Sequence, residues 1–219
     1  MRKPLSLMLL ALMLIVASCS KSKDEPEESN SVTINGQAYS TVKIGTQTWT
    51  TVNYNGTGGV NYTSTNDPVE GKLYTMAEAR AITLPTGWRL PSRDDYSKLL
   101  GTLGATMKDS YGYYRSTLAV TKKLMATRSW NNVIGTNESG FNAIAAGYYD
   151  LTFQYKGENA IFITTSFFTE YGAGWADIPV SFAITSEKNA GNTYDTDASF
   201  SDYVVDTSDK GSLRFVKDN

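Results

Sequence analysis

Residues 85–95 read Pro-Thr-Gly-Trp-Arg-Leu-Pro-Ser-Arg-Asp-Asp, and this stretch predicts a chain reversal that leads directly into a helix. Proline and glycine favour the turn, because proline presets its φ angle and glycine tolerates positive φ. Trp88 and Leu90 supply apolar side chains that can seat the reversal on a hydrophobic core. The stretch therefore predicts a helix whose N-terminal end is held against that core.

Helix start signals occur twice in the chain. Ser92 to Asp95 and Thr75 to Glu78 both match a capping box, in which the hydroxyl accepts from the third helical amide and the carboxylate reaches back to the cap amide. We interpret Asp94-Asp95 as a favourable contact with the helix N-terminus and not as a catalytic carboxylate pair. A third helix is predicted over Leu118 to Thr127.

The other periodic segments predict short strands. Val32 to Ile34 and Tyr39 to Ile44 flank Asn35-Gly36, a two-residue hairpin signal of type I′. Polar, glycine-rich loops separate the predicted elements, so the pattern indicates an α+β fold with short antiparallel strands and two or three short helices. The remaining predicted strands are Thr48 to Asn53, Phe141 to Tyr149, Ile161 to Phe168, Val180 to Thr185, and Leu213 to Val216, in which Leu213 and Phe215 alternate with Arg214 and Val216.

Residues 1–18 are predicted to be a lipoprotein signal peptide. Arg2 and Lys3 precede the apolar run Leu5 to Val16, which is too short to span roughly 30 Å of hydrocarbon as a helix. The run ends in Val16-Ala-Ser-Cys19, which resembles a bacterial lipobox and makes the Cys19 thiol the acyl acceptor. Two or more acyl chains such as palmitate anchor stably, since each buried methylene contributes roughly 0.8 kcal/mol. The alternative is an ordinary signal peptide with a chance cysteine.

Residues 19–31 are predicted to be a lipidated cysteine followed by a flexible acidic tether, because the segment carries no apolar residue to bury. Its acidic run, Lys23-Asp24-Glu25 with Glu27 and Glu28, resembles the signal that sends lipoproteins of Bacteroidota to the outer face of the outer membrane. This resemblance predicts a lipid-anchored protein that faces the cell exterior. The alternative is a merely soluble linker.

Composition excludes several classes of function for the domain over 32–219. Cys19 is the one cysteine in the chain and there is no histidine, so the domain cannot form a disulfide, a cysteine nucleophile, a Ser-His-Asp triad or a Cys/His zinc site. A net charge of -2 gives no electrostatic footprint for nucleic acid. We therefore predict a protein that is not an enzyme, with no catalytic residue and no metal-binding residue assigned.

Five phrases within 32–219 are informative together: Val42-Lys-Ile-Gly-Thr-Gln-Thr-Trp49, Gly71-Lys-Leu-Tyr-Thr75, Pro85-Thr-Gly-Trp-Arg-Leu-Pro-Ser92, Gly135-Thr-Asn-Glu-Ser-Gly-Phe-Asn142 with Gly147-Tyr148, and Leu213-Arg-Phe-Val-Lys-Asp218. In this order they resemble the Fibrobacter succinogenes major paralogous domain. This resemblance implies a C-type-lectin-like fold, distantly similar to formylglycine-generating enzymes. Those enzymes oxidise with reactive cysteines, which this domain lacks, so their activity does not transfer. The phrases themselves are interpreted as scaffold.

Two departures from the family pattern carry a structural expectation. Members of the family usually have cysteine where this chain has Leu84 and again where it has Phe215. If those cysteines pair in relatives, their joint replacement predicts that Leu84 and Phe215 are in contact, within about 4.5 Å.

The resemblance implies that ligands bind in the irregular half of the fold between its late strands, which here would be the loop-rich segment Thr169 to Asp209. Aromatic faces beside amide and carboxylate groups suit a glycan or a protein epitope, although an ordinary packed loop is an equal alternative. Phe200 and Tyr203 lie in the same segment. The residues proposed to bind ligand are Tyr171, Trp175, Asp177, Asn189, Asn192, Tyr194, Asp195 and Asp197.

Two further site hypotheses come from the acidic residues. Asp195-Thr-Asp197-Ala-Ser199 offers oxygen ligands at alternate positions, as a calcium loop would, but an EF-hand needs Gly and Glu where Phe200 and Asp206 stand. No cofactor is therefore predicted, with a lectin-type calcium site as the alternative. A glycoside hydrolase that uses only carboxylates would need a facing pair such as Glu170 and Asp177.

The sequence thus favours a surface-exposed outer-membrane lipoprotein, bound to the membrane through its lipid, that acts as a non-catalytic binding or adhesion module for an extracellular glycan or protein. One alternative is a structural or accessory envelope lipoprotein that partners another cell-surface protein. The other is the carboxylate-only hydrolase.

Overall fold

Eleven strands and three helices make up the regular structure of residues 30–62, 69–109, 112–168, 178–188, 194–201, 204 and 206–219, which the computed structural model describes. The strands are β1 (Ser31–Ile34), β2 (Gln37–Ile44), β3 (Gln47–Thr50), β4 (Met107–Lys108), β5 (Tyr114–Arg115), β6 (Tyr148–Asp150), β7 (Thr152–Gln154), β8 (Asn159–Phe167), β9 (Pro179–Lys188), β10 (Tyr194–Ser201) and β11 (Val216–Asp218). The helices are α1 (Met76–Arg80), α2 (Arg93–Thr102) and α3 (Leu118–Leu124).

A four-stranded sheet has the order β1-β2-β3-β11. Its first hairpin turns at Asn35 and Gly36, whose φ angles of 49° and 81° are the two positive values that a type I′ turn requires. The predicted N-terminal hairpin is therefore confirmed. Trp49 lies opposite both Val42 and Val216, so the centre of the sheet joins residues far apart in sequence.

A second sheet has the order β10-β9-β8, and β4–β5 and β6–β7 form two small hairpins. Every pair of these named strands is antiparallel, which confirms the predicted α+β class. Phe182 at the centre of β9 lies opposite Phe162 on one side and Phe200 on the other. The rows of aromatic side chains create one wall of the core.

The two sheets and α2 enclose a core that is rich in aromatic rings. The rings of Tyr96 and Phe182 are stacked with centroids 4.2 Å apart, and the Trp49 ring lies 5.0 Å from Tyr96. Such ring pairs contribute about 0.5–1.5 kcal/mol each beyond the area they bury. A second cluster contains Tyr54 and Phe215, whose ring centroids are 5.4 Å apart.

Both predicted capping boxes are confirmed. The Thr75 hydroxyl accepts from the Glu78 amide at 3.1 Å, and the Thr75 amide donates to the Glu78 carboxylate at 2.8 Å. Ser92 and Asp95 make the same reciprocal pair at 3.2 and 2.7 Å. Helix α3 ends three residues earlier than predicted, because Met125 turns to an extended conformation with ψ of 135°.

The chain reversal at residues 85–91 also forms as predicted. The Trp88 amide donates to the Pro85 carbonyl at 3.0 Å, and Gly87 between them has a φ of 83°. Leu90 is buried, and Trp88 packs half-buried against the second cluster. Leu84 packs against this cluster too, while Phe215 lies within it, and direct contact between that pair stays a prediction.

Arg89 and Asp95 tie this reversal to the first sheet. The Arg89 guanidinium forms a bidentate ion pair with Asp95 and also donates to the Asp218 carboxylate at 2.7 Å. The Gln47 side-chain amide donates to the Asp95 carboxylate at 2.7 Å. Burial alone would raise the pKa of Asp95, but hydrogen bonds from Arg89 and Ser92 outweigh it and hold that pKa below its ordinary value.

The predicted strand over Phe141 to Tyr149 is wrong for most of its length. Positive φ angles at Gly140, Asn142 and Gly147 (72°, 57° and 69°) bend the backbone out of the extended conformation, so β6 begins only at Tyr148. The Phe141 side chain is nevertheless fully buried in the core.

Three other strand predictions need correction. The strand around Trp49 ends at Thr50 and does not continue to Asn53. Strand β10 lies inside 169–209, the half that was expected to be irregular. Regular pairing near the end of the chain begins at Val216 and not at Leu213. The expected alternation between two faces is nevertheless confirmed, because Leu213 and Phe215 lie in the second cluster, whereas Val216 lies in the core around Trp49 and Phe141. Arg214 is on the same side as Val216, 4.9 Å from the Phe141 ring.

Among the described residues, none of the helices has the length and apolar composition needed to cross a membrane. The predicted signal peptide, Cys19 and nearly all of the predicted tether lie outside these residues.

Candidate functional site

The hairpin β6–β7 displays large apolar side chains to solvent. Leu151 at its tip is 79% exposed, and Phe153 and Tyr155 on its second arm are 38% and 50% exposed. Leu151 and Tyr155 also have positive φ angles of 53° and 52°, which cost about 1–2 kcal/mol each for residues with a side chain. We call residues 148–155 the aromatic hairpin. Backbone strain and exposed rings in one short segment are typical of a functional surface.

Aromatic contacts keep the rings of the hairpin in place. The Phe153 ring lies 5.2 Å from Tyr149 and 4.9 Å from Tyr62, and Tyr155 stacks on Tyr148 at 6.0 Å. The backbone of Tyr149 exchanges two hydrogen bonds with Lys210, at 3.0 and 2.9 Å. The hairpin is thus attached to the body of the domain on one side and open to solvent on the other.

A cleft of about 480 Å³ lies beside the aromatic hairpin. This volume is within the roughly 300–1,000 Å³ range of small-molecule sites. A neighbouring hollow of about 300 Å³ shares Glu70 and Ser129 with it and adds Arg128. The described residues that line the cleft are Glu70, Ser129, Trp130, Asn131, Ala145, Lys156 and Gly157.

Contacts between separate segments of the chain determine the shape of the cleft. The Trp130 indole donates to the Ala143 carbonyl at 3.0 Å, which fixes one wall. Gly157 has a φ of 85°, and a Cβ atom there would lie 2.3 Å from the Asn131 side-chain nitrogen. Only glycine therefore lets the chain pass so close to Asn131. The Gly157 amide donates to the Ala145 carbonyl at 2.8 Å and closes the floor.

Lys156 and Glu70 form an ion pair at the wall of the cleft, with the ammonium nitrogen 2.6 Å from a carboxylate oxygen. Both side chains are partly exposed, so the pair contributes no more than about 1 kcal/mol to stability. The Lys156 ammonium also lies 5.3 Å from the centre of the Tyr62 ring. Because Tyr62 contacts Phe153, this lysine joins the polar cleft to the aromatic hairpin.

Most of the residues proposed from sequence to bind ligand lie outside the described residues. These are Tyr171, Trp175, Asp177, Asn189 and Asn192, together with Glu170 of the hydrolase hypothesis. Tyr194 and Asp195 lie in strand β10, of which the backbone alone is described at those positions, and not in the expected loop. Whether this group meets in one site stays a prediction.

Asp197 is the one member of that set whose side chain is described. It accepts from Arg115 and from Ser116, both at 3.3 Å, and thus connects β10 to β5 and the residue after it. Among the described residues, no group of three or more acidic side chains is placed to hold a metal ion. The calcium hypothesis, which also needs Asp195, stays a prediction.

Sequence reasoning missed the aromatic hairpin and the cleft. A signal was present, since residues 148–155 read Tyr-Tyr-Asp-Leu-Thr-Phe-Gln-Tyr, with four aromatic residues in eight. Its first two residues also fall in the strand predicted over Phe141 to Tyr149, most of which the positive φ angles exclude. The cleft itself has no local signal, because Glu70 and Lys156 meet only in three dimensions.

The fold and this site define a mixed α+β domain with a solvent-facing aromatic and polar surface. The chain belongs to the family of the Fibrobacter succinogenes major domain, whose family model matches residues 42–178. The matched range contains both the aromatic hairpin and the cleft. No curated protein and no solved structure matched the chain.

Proposed function

We propose that this chain is a surface-exposed outer-membrane lipoprotein whose C-type-lectin-like domain is a non-catalytic module that binds or adheres to an extracellular glycan or protein. The observation that carries the proposal is the aromatic hairpin beside the polar cleft. Exposed aromatic residues held on a strained hairpin offer contact area at low entropic cost, and the cleft supplies fixed hydrogen-bonding groups.

Composition supports the absence of catalysis. The chain has no histidine, and its one cysteine is the proposed lipid attachment point Cys19. Glu70 is the one carboxylate among the described residues of the cleft wall, whereas a glycoside hydrolase requires two. The carboxylate-only hydrolase thus remains a rival that needs a second acid from elsewhere.

The membrane anchor is tested by growing cells with radiolabelled palmitate. We expect the full-length protein to be labelled and a Cys19→Ala variant to be unlabelled. Protease treatment of whole cells should then degrade the labelled protein if it faces outward. An unlabelled wild-type protein would refute the lipid anchor, and protection from protease would refute surface display.

Ligand binding is tested with the full-length protein purified in detergent. A glycan array and a pull-down of extracellular host proteins should give at least one ligand whose binding weakens when Phe153 and Tyr155 are both changed to alanine. The matched control is Met107→Ala, because Met107 is 54% exposed on the separate β4–β5 hairpin. Absence of binding across both panels would contradict the proposal.

A structural or accessory envelope lipoprotein is the second candidate. It is favoured by Leu151, an aliphatic side chain with 79% exposure at a hairpin tip, which suits a protein partner. Crosslinking in intact cells discriminates between the two, because an accessory protein should trap one stoichiometric neighbour of the same envelope. A Leu151→Ser variant should then lose that neighbour.

A further inference from the structure

We propose that the cleft and the aromatic hairpin together bind a neutral glycan through a pair of adjacent ring hydroxyl groups. This inference rests on the proposed function and names the ligand class of that site. It is drawn from the groups that the Lys156–Glu70 pair and the surrounding rings present, and it requires no metal ion.

The ion pair offers two complementary hydrogen-bonding groups at one point. The Lys156 ammonium has three N–H donors, while the Glu70 carboxylate has acceptor positions only. They are in direct contact, so a ligand that engages both must place an acceptor next to a donor. Two hydroxyl groups on neighbouring ring carbons do so, because one can accept from the ammonium while the other donates to the carboxylate.

The charge of the site argues for a neutral ligand. The ammonium and the carboxylate balance each other at 2.6 Å, and a charged ligand group at the pair would be repelled by the partner that carries the same charge. A hydroxyl pair gains charge-assisted hydrogen bonds without breaking the ion pair. Ser129 and Asn131 extend the wall with uncharged hydroxyl and amide groups that suit further hydroxyls.

The aromatic hairpin supplies the apolar half of the site. One face of a sugar ring carries mostly C–H groups and packs on aromatic surfaces, while its hydroxyls point outward. The Phe153 ring contacts Tyr62, and the Lys156 ammonium lies over that same Tyr62 ring. A ligand of two or more sugar units could therefore keep one ring on the aromatic surface and place the hydroxyl pair of another at Lys156 and Glu70.

The test uses the full-length protein in detergent and a panel of neutral hexose oligosaccharides. Their O-methylated forms, which lack free hydroxyl pairs, and anionic uronic acid oligosaccharides complete the panel. We expect binding of neutral glycans only. Glu70→Gln should weaken it by about tenfold, because a charge-assisted hydrogen bond is replaced by a neutral one. The double change of Phe153 and Tyr155 to alanine should weaken it by at least about tenfold.

Two controls separate this site from others. Met107→Ala removes an exposed apolar side chain on another hairpin and should leave affinity unchanged. Asp197→Asn alters an ion pair in the half that was proposed from sequence. If Asp197→Asn weakens glycan binding and Glu70→Gln does not, the site lies in that half and the inference fails. Melting temperatures of all variants verify that each is folded.

The remaining outcomes distinguish this inference from the proposed function. Equal binding of the O-methylated glycans, or preference for the anionic ones, overturns the hydroxyl-pair assignment while the module remains a glycan binder. If the wild-type protein captures another protein, the Phe153 and Tyr155 double variant does not, and no glycan binds, then the neutral glycan is the wrong ligand class. The proposed binding function would still hold. Absence of every ligand overturns both.

Discussion

At the scale of single residues, Arg214 is the most unusual feature of the domain. Its side chain is fully buried, and burial lowers the pKa of its guanidinium to about 9. No carboxylate is among the acceptors described for it. The guanidinium instead donates to the Asn53 side chain and to the carbonyls of Thr50, Phe141 and Asn142, at 2.7–2.8 Å. It also lies 4.9 Å from the Phe141 ring.

We expect Arg214→Lys to lower the free energy of unfolding by about 2–4 kcal/mol. A lysine ammonium has three donors on a flexible stem and cannot reach four acceptors that are arranged around a planar guanidinium, so buried carbonyls lose their partners. Urea unfolding followed by tryptophan fluorescence measures the change. Arg128→Lys is the matched control on the surface and should stay within about 0.5 kcal/mol. Equal stability of both variants would contradict this role for Arg214.

At the scale of elements, the three helices begin in two different ways. The first two carry complete capping boxes, whereas Thr117 before α3 makes no capping hydrogen bond with its side chain. The capping residues are local in sequence, which explains why both boxes were predictable.

The bent conformation of segment 140–147 was not predictable from the sequence. Its apolar residues resemble a strand, and nothing local reveals that Asn142 adopts a positive φ angle.

The difference in capping between α2 and α3 predicts unequal effects of two similar substitutions. Ser92→Ala should lower the free energy of unfolding by about 0.5–2 kcal/mol, because the Asp95 amide loses the hydroxyl to which it donates. Thr117→Ala should change it by less than about 0.5 kcal/mol, because no capping bond is lost. Thermal unfolding by circular dichroism compares them. A larger loss for Thr117→Ala would contradict the capping geometry.

At the scale of the whole molecule, one polar network joins three distant segments. Asp95 at the start of α2, Arg89 in the chain reversal and Asp218 in β11 are linked by ion pairs, with Gln47 of β3 bonded to Asp95. Hydrogen bonds from Arg89 lower the pKa of Asp218, and Arg89 and Ser92 together keep that of Asp95 low against the effect of burial.

The network predicts that the domain loses stability in acid. The folded-state pKa values of Asp95 and Asp218 lie below their ordinary values. Between the folded-state and ordinary pKa values, the unfolded state therefore binds more protons than the folded state. The contribution of these two carboxylates to the free energy of unfolding should therefore be complete above about pH 5. It should be lost as the pH drops toward their folded-state pKa values. Denaturation at a series of pH values measures the slope. Asp95→Asn should flatten it, whereas exposed Asp94→Asn should leave it steep; equal slopes would contradict the assignment.

The amino-acid sequence by itself determined the features that depend on neighbours along the chain. The type I′ turn at Asn35-Gly36, both capping boxes, the chain reversal at residues 85–91, the α+β class and the family were all predictable. The turn, the capping boxes and the chain reversal depend on backbone preferences or on hydrogen bonds between residues a few positions apart. The fold class and the family follow from periodicity and from short phrases, which are also visible in the linear sequence.

Tertiary structure alone decided the rest. Nothing in the strand pattern around Arg214 indicates its role, yet its side chain is fully buried because four acceptors from two distant segments converge on it. Glu70 and Lys156 are 86 positions apart and form one cleft wall only after the sheets have packed. Burial and long-range convergence have no local signature, because the energy that places these side chains comes from residues elsewhere in the chain.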